Sequence, residues 1–424
     1  MFILKEAKKI LVVIESLDVN DSSGTKGRVA LLNSFIKAGY KITVLHYTQK
    51  EVQIDGMECI SVKEKKGNFL FLLSRVQRLL YRWFKVDIGP WVDSRFGFSF
   101  GFFNDVKSLK KAVTNYNPED FDMIWTLSKG NSYRPHKAVL SLPLWYSKWY
   151  AYVHDPYPQQ LYPRPYNFVP YGFKQKRNFF RDITVSAKRI VFPSQLLKDW
   201  MLSYYVDLEG KSLIIPHQLL SQNECNTRLP DYFNLNKFNV LHGGNLLDLR
   251  DPKPVVEAFS LFLQQNASAK ENASLIFLGK KSKFTAYLQK KTGDIPQIYT
   301  SQDYVPFEEV FAMQQNASVN VILEARSEIS PFLPGKFVHC VEANAPIILI
   351  GPYYSESKRL LGPTYPYSFE FDDIEEITKS FHTLYAQWNE NKKSLKLNLP
   401  DLENYLSHNY LEEVLEESTK NRLD

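Results

Sequence analysis

Cysteine is scarce in this chain of 424 residues: Cys59, Cys225 and Cys340 are its three, far apart and in no CxxC pair. That spacing signals neither a disulfide framework nor a zinc site, so a reduced, cytoplasmic home is expected. Long apolar runs are also missing. None approaches the ~20 residues that cross a bilayer. The opening "MFILKEAKKILVVIES" interrupts its apolar residues with Lys5, Glu6, Lys8 and Lys9, unlike a signal peptide. Without a secretion signal, the Asn-Ala-Ser triplets at Asn266, Asn272 and Asn316 read as chance. There is no internal repeat and no low-complexity tract. The charge excess is small. A net +6 favours an anionic ligand or surface without requiring nucleic acid.

What is there is length and alternation. A chain of this size exceeds one ordinary core and predicts two domains. Strand patterns at "KILVVIES", "KITVLHY", "DMIWTL", "KWYAYVHD" and "RIVFPS" alternate with helical spacing such as "KGRVALLNSFIKAGY". A polar stretch, "SQNECNTRLPDYFNLNK", reads as a linker, after which "FNVLHGG", "ASLIFLG", "ASVNVILEA" and "APIILIG" repeat the scheme. Strands alternating with helices predict parallel sheets covered on both faces. The expected fold is therefore α/β, with two Rossmann-like doubly wound domains facing across a cleft. Residues 1–220 form the first, and 221–401 the second. Ligands then belong at the carboxyl ends of the strands.

Each domain opens with strand, glycine loop and helix, where helix amides can hold a phosphate. In the first domain, Gly24, Lys26, Gly27 and Arg28 lie near the helix start. The spacing is not GxGxxG, which argues against a nicotinamide or flavin cofactor. A tight turn with two solvated cations fits the same residues. In the second, "LHGGNLLDLRDPKPVVEAF" supplies Gly243, Gly244, Asn245 and Arg250 before a helix that Pro252 can open. Further on, "SPFLPGKFVHCVEANAPIILIG" puts Lys336 where a loop becomes a helix. A cation there opposes the helix dipole unless an anion arrives. An exposed lysine with its stem packed on the loop is the alternative.

These two stretches resemble the nucleotide-sugar domain of GT-B glycosyltransferases of retaining family 4, the "group 1" transferases. Gly244, Arg250 and Glu257-Ala258 stand at that family's intervals, and Ser330, Pro331, Pro334, Lys336 and Pro346 follow its second motif. The resemblance implies that Arg250 and Lys336 bind the donor diphosphate, a role suited to charge-assisted bonds. It also implies a retaining transfer from a UDP- or GDP-sugar co-substrate, with no bound metal and no other cofactor. Surface-polysaccharide synthesis is the expected setting. A C-terminal helix over 402–420 would pack back on the first domain. The chain departs from the pattern at three places: His339 replaces the usual ribose-binding glutamate, with Glu342 one turn on; Asn344 replaces a glycine; Asn245 replaces the first basic partner. Lys280, Lys281 or Lys336 would have to supply the second positive charge.

The acceptor side is read from "YVHDPYPQQLYPRPYNFVPYGFKQKR". By the same resemblance, His154 lies near the reacting sugar, and with Asp155 it offers groups that bond hydroxyls and share a proton. A buried, satisfied histidine at a strand end is the plain alternative. The stretch "NFLFLLSRVQRLLYRWFKV", residues 68–86, sets Arg75, Arg78, Arg82 and Lys85 on one helical face and Leu72, Val76, Leu79 and Trp83 on another. It fits either an anionic membrane surface, as a lipid-linked acceptor would need, or a core helix with a wet basic side. Two other functions share the fold: a nucleotide-sugar 2-epimerase, and a non-catalytic protein that binds glycan or a partner enzyme.

Overall fold

The computed structural model describes residues 7–19, 21, 23–219, 227–391 and 395–420. Of the expected linker, 221–226 lies outside the described residues, as does Cys225. The chain divides into two compact units, one of residues 1–162, 166–218 and 407–424, the other of 163–165 and 219–406.

The first unit is built on seven parallel strands: β1 (Lys9–Ile14), β2 (Lys41–His46), β3 (Glu58–Ser61), β4 (Met123–Leu127), β5 (Trp149–Tyr152), β6 (Arg189–Phe192) and β7 (Ser212–Ile214), in the order β3-β2-β1-β4-β5-β6-β7. From Ile10 to Ile14, β1 has no exposure at all, as expected of a central strand covered on both faces. Each such side chain contributes about 1.5–3 kcal/mol through burial. Helix α1 (Ser23–Lys37) covers one face with Leu31, Leu32 and Phe35. The last helix, His408–Lys420, packs beside it through Leu411 and Leu415, and Tyr150 reaches Ser418 at 3.3 Å. On the other face lie α2 (Phe69–Phe84), α3 (Gly89–Phe96) and α4 (Phe100–Val113). Asn68 caps α2 at the Phe71 amide and ties it to α4 through Asn104.

The second unit repeats the plan. Its six-stranded parallel sheet contains β8 (Phe238–Gly243), β9 (Ala273–Leu278), β10 (Ile298–Thr300), β11 (Val319–Leu323), β13 (Ile347–Ile350) and β15 (Ser368–Phe369), in the order β10-β9-β8-β11-β13-β15. A separate pair joins β12 (Ile329–Ser330) to β14 (Tyr354–Ser355). Helices Lys253–Gln265 and Ile374–Glu390 close one face with Phe259, Phe262 and Phe381.

In each sheet the chain runs outward from the first strand, returns, and continues on the other side. The reversal falls between β1 and β4 in one unit and between β8 and β11 in the other. Loops there diverge and leave a crevice at the strand ends. Among the described residues, no helix is long and apolar enough to cross a membrane.

Candidate active site

Arg28 stands at the reversal point of the first sheet. Helix α1 begins at Ser23, so Gly24, Lys26, Gly27 and Arg28 all lie within its first two turns, with Gly24 exposed and Lys26 half-buried. Arg28 is 3% exposed and donates to the Ser128 carbonyl at 3.0 Å and to Thr25 Oγ1 at 2.8 Å. Its Nε has no hydrogen-bond partner among the described residues. Burial lowers its pKa to about 10, with Glu15 and Asp21 pulling the other way. Glu15, buried just beyond β1, accepts Ser132 Oγ at 2.5 Å and pairs with Arg134 at 3.3 Å. These bonds fix the strand ends around one enclosed cation.

His154 lies two residues past β5. Its ring packs on Tyr152 at 4.5 Å and stacks on His217 at 6.1 Å. His217 in turn lies against α1, its Nδ1 3.7 Å from where a Cβ on Gly27 would stand. His154 Nε2 is buried and has no hydrogen-bond partner among the described residues. Burial, with Arg28, His217 and His136 nearby, holds its pKa well below the ordinary imidazole value. The ring is therefore neutral at pH 7 and available to a hydroxyl. Asp155 belongs to different surroundings. It accepts the Tyr162 hydroxyl, and burial pushes its pKa up to about 6. Among the described residues no hydrogen bond joins the two side chains.

The reversal point of the second sheet gathers positive charge. Gly243 ends β8, and Gly244 follows at φ +138°, where a Cβ would meet Lys336 Nζ at 3.0 Å. Backbone without a side chain is what allows the ammonium so close. Lys336 opens the helix Gly335–Glu342, whose N-cap, Pro334, makes no side-chain cap bond. Its Nζ lies 3.2 Å from Nε2 of buried His242, whose Nδ1 is 3.0 Å from the Val321 carbonyl of β11. That pattern assigns the proton to Nδ1 and the acceptor lone pair to Nε2. Burial first, and Arg250 second, lower the Lys336 pKa to about 7. Half-buried Arg250 and Lys336 thus share one field.

The remaining expected residues are placed as follows. Asn245 Oδ1 accepts the Lys280 amide at 2.9 Å and so ties the loops after β8 and β9 together. The Lys280 ammonium lies over the Tyr304 ring, and Lys336 is close enough to Arg250 to feel its charge. His339, one turn past Lys336, packs on Phe307 at 4.9 Å and Phe311 at 5.8 Å. Glu342 ends the same helix, half-buried. Sequence reasoning missed His242, His217 and Glu324. His242 and Glu324 were embedded in apolar strand patterns, and His217 lies between the quoted strand and linker stretches. Glu324 is fully enclosed past β11, accepts Ser357 Oγ at 2.7 Å, and is pushed up in pKa by burial.

No protein-family model matches the sequence, and no curated protein matches it. Solved structures match it over nearly its whole length. The N-terminal domain of trehalose-6-phosphate phosphatase from Candida albicans is 14% identical, with a TM-score of 0.63 over 99% of this chain and 98% of that one. A trehalose-6-phosphate structure from E. coli bound with UDP-2-fluoro glucose is 13% identical, with a TM-score of 0.61 over 98% and 100%. The UDP-forming α,α-trehalose-phosphate synthase of Burkholderia xenovorans is 12% identical, with a TM-score of 0.61 over 98% and 99%. At these identities the likeness is one of fold: the chain has two Rossmann-like domains of the GT-B kind.

Proposed function

We propose that the chain is a glycosyltransferase that takes a sugar from a UDP- or GDP-sugar and passes it, with retention, to a glycan or lipid-linked acceptor in surface-polysaccharide synthesis. The observation that carries the reading is the cluster of Gly244, Arg250, Lys336 and His242 at a sheet reversal point. Two cations sharing one field beside backbone without side chains repel each other and gain from an anion. A diphosphate satisfies all of them. The similar fold that binds UDP-2-fluoro glucose supports the choice of ligand.

In this reading Arg250 and Lys336 hold the diphosphate and stabilise the charge that grows on it as the sugar leaves. His242 accepts a hydrogen bond from the Lys336 ammonium and so fixes its direction. No metal ion is needed, because the two cations supply the positive charge. His154, neutral and with Nε2 unbonded, bonds a hydroxyl of the reacting sugars. The glycine loop of α1, with Arg28, sets the surroundings of that ring. Residues 68–86 bring the protein to the anionic inner face of a membrane. Their support is exposure: Leu72, Val76, Leu79 and Trp83 are 58%, 41%, 41% and 69% exposed.

A thermal-shift screen against UDP, GDP, TDP and CMP tests the reading. A diphosphate at a hundred times its Kd stabilises by ~2.7 kcal/mol. One of the diphosphates should raise Tm well beyond CMP. Equal, null shifts for all four would remove the donor site.

A further inference from the structure

Helices α2, α3 and α4 enclose a groove of about 690 Å³ in the first unit. Leu70, Leu73, Trp91, Phe96, Phe100 and Phe103 line it, and Lys107 and Lys110 complete the wall. The volume suits a small-molecule ligand. The groove is also open to water at large cost. Phe69, Trp91 and Phe96 are 72%, 65% and 46% exposed, so the apolar wall continues onto the surface. There it joins a stripe of α2, Phe69, Leu72, Val76, Leu79 and Trp83, that faces away from the unit. Of all α2, only Ser74 is buried. An apolar surface this continuous marks a binding site.

Charge selects the occupant. Residues 68–111 hold eight lysines and arginines against three aspartates, a net +5 of the chain's +6. A second copy of this chain would bring the same positive field against it, and like charges in contact cost several kcal/mol. A ligand that is apolar along its length and anionic at one end meets both features.

We propose that the groove holds the hydrocarbon chain of an anionic single-chain lipid, an alkyl or prenyl phosphate or diphosphate. The phosphate lies at Lys107 and Lys110 and the chain along the aromatic wall. The proposal deepens the membrane and lipid-linked-acceptor reading given above and rests on it. Arg75, Arg78 and Arg82 then meet the bilayer surface, while Lys107 and Lys110 meet the one lipid drawn into the groove. Lys110 is half-buried, so its bond to phosphate is screened less than those of the arginines.

The test is equilibrium binding of monomeric dodecyl phosphate, followed by tryptophan fluorescence and calorimetry, beside co-sedimentation with anionic vesicles. The parent should bind dodecyl phosphate one to one, and Trp91→Phe should remove most of the fluorescence change. Lys107→Gln with Lys110→Gln should weaken dodecyl phosphate at least tenfold and leave dodecanol unchanged. Leu73→Trp, which fills the groove, should abolish binding of both yet still sediment with vesicles. The lysine variant lies at the surface and keeps the test sound if Leu73→Trp fails to fold. A parent that sediments with vesicles but ignores dodecyl phosphate overturns the groove and leaves the membrane reading standing. A parent that ignores vesicles as well overturns both. Competition by inorganic phosphate as strong as by dodecyl phosphate, or a dimer that seals the groove, would also overturn the proposal.

Discussion

Lys336 concentrates the electrostatics of the proposed donor site in one amine. Its pKa of about 7 in the free protein is depressed by burial and by Arg250. A bound diphosphate reverses the balance and draws a proton onto it. Nucleotide binding between pH 7 and 9 should therefore take up a proton, and affinity should fall as pH rises through about 7. Calorimetry in buffers of different ionisation enthalpy measures the uptake. Zero uptake, or the same pH dependence in Lys336→Met, contradicts the assignment. The sign for stability is the opposite. An unfolded lysine titrates near 10.4, so the unfolded chain binds the extra proton between about 7 and 10, and this residue's contribution to stability rises with pH across that window. His154 makes the second prediction at this scale. Its enclosed, unbonded Nε2 suits a hydroxyl, so His154→Ala should lower turnover ~10²-fold with donor affinity unchanged. Full turnover with an early melt would show a merely structural ring. The histidine's place at a strand end was legible in the sequence. Its contact with His217, far along the chain, was not.

At the scale of elements, the central strands buried over five or six consecutive residues, β1, β4, β8 and β11, were legible, because burial on both faces leaves little alternation to misread. The short edge strands β3, β7, β10 and β15 were not. With two to four residues each, they owe their form to a neighbour's ladder rather than to their own pattern. Helix α1 begins at Ser23, earlier than its apolar spacing suggests, because glycines and polar residues carry no periodic signal. For α2 the spacing revealed an amphipathic helix but not its orientation. The structure turns Leu72 and Trp83 outward, against the core-helix alternative. Replacing Arg75, Arg78 and Arg82 by glutamine should then remove most preference for anionic over neutral vesicles, each cation being worth up to ~1 kcal/mol there. Unchanged co-sedimentation would mean that the charges play no part. The seat of α3 makes a separate prediction. Gly172 has φ +69°, and a Cβ there would run into the Asp93 carbonyl oxygen and stand 2.6 Å from Gly97 Cα. Both neighbours are backbone and cannot yield. Gly172→Ala should cost ~1–3 kcal/mol or more of stability, read by denaturant unfolding. A neutral result would contradict the packing of α3.

The whole molecule repeats one device: a parallel sheet, a reversal between its first and fourth strands, and enclosed cations and histidines at that point. The restart of the strand–glycine–helix pattern at "FNVLHGG" made the duplication legible, and the fold shared with UDP-forming synthases agrees with it. The two reversal points carry different chemistry. A neutral histidine with an enclosed arginine stands at the first, and paired cations around open backbone at the second. Such a division suits a transfer in which one unit holds the leaving diphosphate and the other a sugar hydroxyl. The central claim is that the second site binds and releases a nucleoside diphosphate by its own cations. The most direct measurement is release of nucleoside diphosphate from a panel of UDP- and GDP-sugars, with EDTA present throughout. The account predicts release from at least one donor in EDTA, lost by a factor of ~10–10² in Arg250→Ala and further in the double variant with Lys336→Ala. Release that requires a divalent cation, or that survives both substitutions undiminished, would contradict it.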